Sequence, residues 1–132
     1  MAFDSTQPIW HQLVGEFSRR IVAGVWQPGT RIPAVRELAA ELQVNPNTVQ
    51  RAFGELERDE LVRSERTSGR FVTDDGTRIS ALRRQLAADA AAQFTSRARG
   101  VGLSLADAQT LLAERWDDHD RHSEPARDEA RG

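Results

Sequence analysis

Residues 31–59, RIPAVRELAAELQVNPNTVQRAFGELERD, read as two short helices joined by a tight turn. Pro33 suits the first turn of a helix, where its missing N–H has no partner to lose. Val35, Leu38, Ala39 and Leu42 then recur at helical spacing, so one face is buried. The segment Gln43-Val44-Asn45-Pro46 ends this helix and starts the next, because Asn is a strong N-cap and Pro fits the first helical position. Val49, Ala52, Phe53 and Leu56 form the buried stripe of the second helix. On the helical period Asn47, Gln50, Arg51, Gly54 and Arg58 point away from that stripe, with Thr48 on its flank.

That outward face carries amide and guanidinium groups where a Glu/Lys mixture is usual. Arg can bridge two acceptors on a guanine edge, Asn and Gln can do the same on adenine, and Thr can meet a phosphate or a thymine methyl. The free N–H groups at the helix start also attract phosphate. Two helices in this arrangement make a helix-turn-helix that reads DNA; the same spacing also fits an ordinary solvated face.

Working outward, Pro8 opens an earlier helix with Ile9, Leu13, Phe17, Ile21 and Val25 as its apolar stripe, ending near Gly24. Residues 1–7 are polar and expected to be loose, and 26–30, WQPGT, read as a turn. His11 reads as a surface histidine. After Glu60 the helical pattern fails, and residues 61–65 and 70–73 look like two short strands joined by Arg66-Thr67-Ser68-Gly69. A hairpin following a helix-turn-helix is a wing. Arg66 and Arg70 at its tip can reach phosphates or the minor groove, whose negative potential favours Arg.

Taken together, residues 8–72 resemble the winged helix-turn-helix of GntR-type bacterial transcriptional regulators. The resemblance rests on PG followed by RIPAVRELA, on VNPNTVQRAF, on LE followed by LV, and on GRFV. It implies DNA contacts from Arg36, Asn45, Asn47, Thr48 and Arg51. It also makes Gln50 a specificity position, and it matches Arg66 and Gly69 to the wing's R-x-x-G frame. Three positions depart from the family pattern. Ala34 stands for Ser, Gln43 stands for Gly in the turn, where a left-handed backbone would carry strain, and Thr67 stands for Gly in the wing. Arg70, in place of the usual Thr, is expected to compensate for the last.

Residues 74–78 read as a polar linker. Ile79, Leu82, Leu86, Ala90 and Phe94 then mark an Ala-rich helix ending near Gly100-Val101-Gly102. A further helix follows, capped by Ser104 and apolar at Leu105, Ala108, Leu111, Leu112 and Trp116. Two such helices cannot enclose a core alone. The economical expectation is a homodimer burying Ile79, Leu82, Leu86, Phe94, Leu112 and Trp116, with two reading helices roughly 34 Å apart over a palindromic operator. Folding back onto the winged domain is the other option. The short C-terminus resembles that of the YtrA subfamily, which implies dimerisation of this kind and control of transporter operons.

The expected architecture is therefore mainly α with a small β-hairpin (α+β). It comprises a winged helix-turn-helix over 1–73, a linker over 74–78, a helical dimerisation hairpin over 79–120 and a flexible tail over 121–132. His119 and His122 are spaced to share a metal on a helix, but a solvated acidic helix end explains them more simply. Neither a metal nor another cofactor is expected.

Composition bounds the function. The chain has 132 residues and no cysteine, which excludes disulfides and thiolate metal sites. No apolar run is long enough to span a bilayer and no signal peptide is visible, so a cytoplasmic protein with no membrane partner is expected. All 18 basic residues are Arg, which with the many alanines suggests a GC-rich bacterial gene. The net charge is −2, yet residues 1–73 balance nine Arg against nine acids, so any basic face must be local. No phosphate loop, nucleophile elbow or paired acid and base appears, so an enzyme is not expected. The function expected is a dimeric repressor on operator DNA, open to release by a small-molecule effector of unidentified chemistry. A winged-helix adaptor that binds another protein, or a nonspecific DNA architectural protein, are the alternatives.

Overall fold

The computed structural model describes the backbone of residues 1–123 and the side chains of residues 1–119. The elements in order are α1 (Ile9–Val22), α2 (Val35–Leu42), α3 (Pro46–Arg58), β1 (Val62–Glu65), β2 (Gly69–Val72), α4 (Gly76–Gly100) and α5 (Leu105–Ser123). The chain divides into two compact units, Met1–Ala87 and Ala88–Gly132, with α4 running through the boundary. Residues 124–132, most of the expected tail, lie outside the described residues, as does the His122 side chain.

The first unit is organised around α3. Leu13, Phe17 and Ile21 of α1 meet Val49, Ala52, Phe53 and Leu56 of α3, all buried at 1% exposure or less. At the centre, Phe17 and Phe53 stack with ring centroids 4.9 Å apart, and Trp26 lies 5.2 Å from Phe17. The apolar stripe expected for α1 is therefore right in its middle. Its ends are not buried: Ile9 and Val25 are exposed, and the neighbouring Trp26 fills the core instead. The backbone leaves the helix through Gly24, which has φ 79°, and this turns the chain so that Trp26 faces inward.

Three local expectations are revised. Residues 1–7 are tied down, because Gln12 of α1 accepts from the Asp4 N–H through Oε1 at 2.8 Å and donates through Nε2 to the Asp4 and Gln7 carbonyls. Phe3 packs against the core beside them. Second, the turn over 26–30 leads into an isolated antiparallel bridge on the wing, Arg31 opposite Phe71. The Ile32 N–H donates to the Arg70 carbonyl at 2.9 Å, and the Val72 N–H donates to the Thr30 carbonyl at 3.0 Å. Third, the linker is shorter than expected. Asp75 caps α4 by accepting from the Thr77 and Arg78 N–H groups, and the helix begins at Gly76.

The start of α4 corrects the expected dimer surface. Ile79 and Leu82 are buried at 5% and 6% in the core of the first unit, and Leu86 packs against it. The helical period of these residues is as read, but the surface that they cover belongs to their own chain. In the second unit the α4–α5 turn carries Gly102 at φ 84°, and Ser104 Oγ caps α5 by accepting from the Asp107 N–H at 3.1 Å. Ala98 is the one buried residue among the described side chains of this unit, while Leu105, Leu112 and Trp116 are exposed.

Candidate nucleic-acid interface

The turn between α2 and α3 is built as its sequence suggests. Gln43 ends α2 in the left-handed region at φ 55°, ψ 50°, a conformation costly for a residue with a Cβ. Asn45 caps α3, its Oδ1 accepting from the Asn47 N–H at 2.8 Å, and Pro46 takes the first helical position. With Val49, Ala52, Phe53 and Leu56 locked inward, Asn47, Gln50 and Arg51 are left exposed and Thr48 half-buried on the flank. Arg36 is exposed near the start of α2.

The wing stands beside this face. β1 and β2 pair antiparallel, with Val62 opposite Val72 and Glu65 opposite Gly69. β1 starts one residue later than expected and β2 lies one residue earlier at both ends, with Leu61 and Thr73 joined just outside the ladder by a Thr73 N–H to Leu61 carbonyl bond. Arg66 is exposed in the connecting turn. Gly69 has φ 103°, a backbone that favours glycine, and a Cβ there would crowd the Arg31 side chain, 3.0 Å from its Nε.

Arg70 does not extend freely from the wing. Its Nε donates to Glu57 Oε1 at 2.8 Å, its Nη2 donates to Gln50 Oε1 at 2.7 Å, and its guanidinium lies 5.1 Å from the Phe53 ring centroid. The Ser64 hydroxyl also donates to Glu57. Partial burial raises the Glu57 pKa, but the Ser64 hydroxyl and Arg70 outweigh it, and the carboxyl sits below its ordinary range. The wing is thus braced to α3 through one carboxylate.

Arg51 is also held. Its guanidinium lies 4.2 Å from the Trp10 ring centroid, a cation–π contact that limits its rotamers without occupying its donors. Neither this contact nor the Arg70 brace is signalled locally in the sequence, since each joins residues far apart in the chain. Arg63 on β1 is paired with Glu65 and lies over Phe71. Among the described residues no group of three or more His, Cys, Asp and Glu could hold a metal ion.

A capped helix that presents Asn47, Gln50 and Arg51 beside a two-stranded wing defines a winged helix-turn-helix, the DNA-binding module of transcriptional regulators. The family model of bacterial regulatory proteins, gntR family, matches residues 11–72. The uncharacterized HTH-type transcriptional regulator YhcF of Bacillus subtilis is 32% identical over 102 residues, covering 77% of this chain and 84% of that protein. The HTH-type transcriptional repressor YtrA of the same organism is 35% identical over 71 residues, 54% of this chain and 55% of its own length. Among solved structures, a GntR family transcriptional regulator from Listeria monocytogenes aligns with TM-score 0.79 and 34% identity over 85% of this chain and 98% of that one. The DNA-binding domain of AraR in complex with operator ORE1 aligns with TM-score 0.50 and 30% identity, over 55% of this chain and 90% of that one. The chain belongs to the GntR family.

Proposed function

We propose that this regulator acts in the cytoplasm as a homodimer that occupies a palindromic operator and represses transcription from it. The observation that carries the reading is the N-capped start of α3, with Asn47, Gln50 and Arg51 exposed beside the wing. Arg51 reads a base edge in the major groove, while Arg36 and the Asn45-Asn47-Thr48 turn fix the helix on the phosphates. Arg66 enters the minor groove or meets its flanking phosphate, and Gly69 keeps the wing compact enough to approach.

Dimerisation is supported by the second unit, whose helices leave Leu112 and Trp116 exposed and bury little among themselves. With Ile79, Leu82 and Leu86 covered within the first unit, the interface reduces to Phe94, Leu112 and Trp116. A twofold pair then presents two reading helices to successive major grooves. A small effector that favours one geometry of the pair would shift the population away from the operator.

The test is a fluorescence-anisotropy titration of the full chain against the DNA upstream of its own gene and against a scrambled duplex, each at two salt concentrations. A preference of about 1000-fold for the promoter is expected, within the range of specific readers. Arg51→Ala should lose about 1–3 kcal/mol on that duplex. Equal, salt-sensitive binding of both duplexes would favour an architectural protein, and no binding of either would favour a protein-binding adaptor.

A further inference from the structure

We infer that Arg70 is a positioning residue that sets which base Gln50 reads, turning position 50 into a donor that selects a major-groove acceptor. The inference rests on the DNA-reading role of α3 and goes beyond it by assigning the chemistry of one contact.

The argument begins with what Arg70 can offer. A guanidinium carries only N–H donors, so the Gln50 atom 2.7 Å from Nη2 is the amide oxygen and the amide cannot be flipped. Arg70 is itself fixed from three sides. Its Nε is bonded to Glu57, its face lies toward the Phe53 ring, and its main-chain carbonyl accepts from Ile32. Glu57 is in turn bonded by the Ser64 hydroxyl of β1. Gln50 and Glu57 are two turns apart on one face of α3, so a side chain from β2 spans both.

The consequence for base reading follows from the shape of an amide. Its oxygen and nitrogen branches diverge, so committing the oxygen to the wing leaves the NH2 group as the free branch. A glutamine that reads adenine uses both branches, one on N6–H and one on N7. Gln50 braced by Arg70 turns its NH2 branch to the groove while its oxygen, though it keeps a second lone pair, is aimed at the wing. It therefore favours guanine, with its O6 and N7 acceptors, or thymine, with O4, and it disfavours the N4–H2 donor of cytosine and the mixed face of adenine. A wing residue that touches no base thereby controls specificity in the major groove.

The experiment uses full-length protein and duplexes selected by it from a pool with a randomised centre, followed by affinities for all single-base changes in the selected site. Gln50→Ala locates the base pair in question by flattening the preference there. At that base pair the parent should favour guanine or thymine, and Arg70→Ala should reduce the disadvantage of adenine by about tenfold while leaving other positions unchanged. Gln50→Glu should move the preference to cytosine, whose edge offers a donor without the N7 acceptor that adenine sets beside its own. Arg70→Lys keeps the charge but loses the planar fork, and should follow Arg70→Ala in base profile. It carries the test if the alanine variant melts early by circular dichroism. If both Arg70 variants weaken every duplex alike and make the salt dependence shallower, Arg70 is a phosphate contact and the inference fails alone. An unchanged profile also overturns it alone, whereas a parent with no sequence preference overturns the regulator reading with it.

Discussion

Replacing Trp116 by Ala should dissociate the dimer without unfolding the protomer. The indole is 71% exposed in the protomer, and aromatic side chains bury about 150–250 Å² when covered, so about 150 Å² is available for a partner. At ~25 cal/mol per Å² this is worth up to about 4 kcal/mol in each copy, and a twofold interface counts it twice. Ordering costs and incomplete coverage absorb about half of that gain, leaving about 3–4 kcal/mol for the variant to lose. The dimer Kd should therefore rise by about 150–900-fold. Sedimentation velocity over a concentration series of parent and variant measures it directly. Because Trp116 is exposed, its truncation leaves no cavity, and an unchanged melting curve would separate loss of association from loss of fold. A variant whose Kd stays within a few-fold of the parent, or a parent that is monomeric throughout, would refute the assignment of this face to the interface.

Three further outcomes follow from the first unit. Gln43→Gly should stabilise it by about 0.5–1 kcal/mol, since the left-handed conformation at φ 55° suits glycine, and thermal melting should register a rise of a few degrees. Asn45→Ala removes the acceptor for the Asn47 N–H and should cost about 1 kcal/mol in the same melt, with a loss of DNA affinity beyond what the stability change explains. The third concerns acid. Burial raises the Glu16 and Glu57 carboxyls, but the Arg20 and Arg19 partners of the first, and Ser64 and Arg70 for the second, bring both below the ordinary value. The folded state therefore binds fewer protons than the unfolded chain. The stabilisation is complete above the ordinary glutamate range and is lost as pH falls through it toward the depressed native values. Both carboxylates keep solvent contact, so each contributes under about 1 kcal/mol, and Glu57→Gln should flatten the acid side of a melting series by that amount.

The sequence revealed most where a local rule determines structure. The cap at Asn45, the proline after it and the four-residue stripe of α3 are properties of neighbouring residues, and all appear as read. The hairpin was legible for the same reason, whereas the strain at Gln43 showed only through the resemblance, as a departure from the glycine of the family turn. What escaped depends on contacts between distant segments. Trp26 reads as a turn residue beside Pro28 and Gly29, yet it is core because the Gly24 turn directs it onto Phe17. Thr30–Ile32 joins β2 although nothing within those residues signals the bridge. The period of Ile79, Leu82 and Leu86 announces a buried face without saying what covers it. A partner chain and the first unit leave the same pattern in the sequence, and only the fold tells them apart. At the candidate site the outward positions of α3 were readable, but the braces on Gln50 and Arg51 were not, because they reach back from the wing and from α1.

The charge balance also acquires a meaning in the structure that the totals conceal. Of the nine Arg in residues 1–73, five are ion-paired: Arg19 and Arg20 to Glu16, with Arg20 also to Glu41, Arg58 to Glu55, Arg63 to Glu65 and Arg70 to Glu57. Arg31, Arg36, Arg51 and Arg66 have no ion-pair partner among the described residues, and these four lie at the wing, at the start of α2, and on α3. Five of the nine acids, Glu16, Glu41, Glu55, Glu57 and Glu65, are therefore set against arginines, while these four arginines have no carboxylate paired with them among the described residues. A surface organised in this way gains little from undirected attraction to phosphate, since its net field is small. Under the proposed function, discrimination then falls to the few groups placed to reach base edges, and the inferred control of one amide by one guanidinium bears on the choice of sequence.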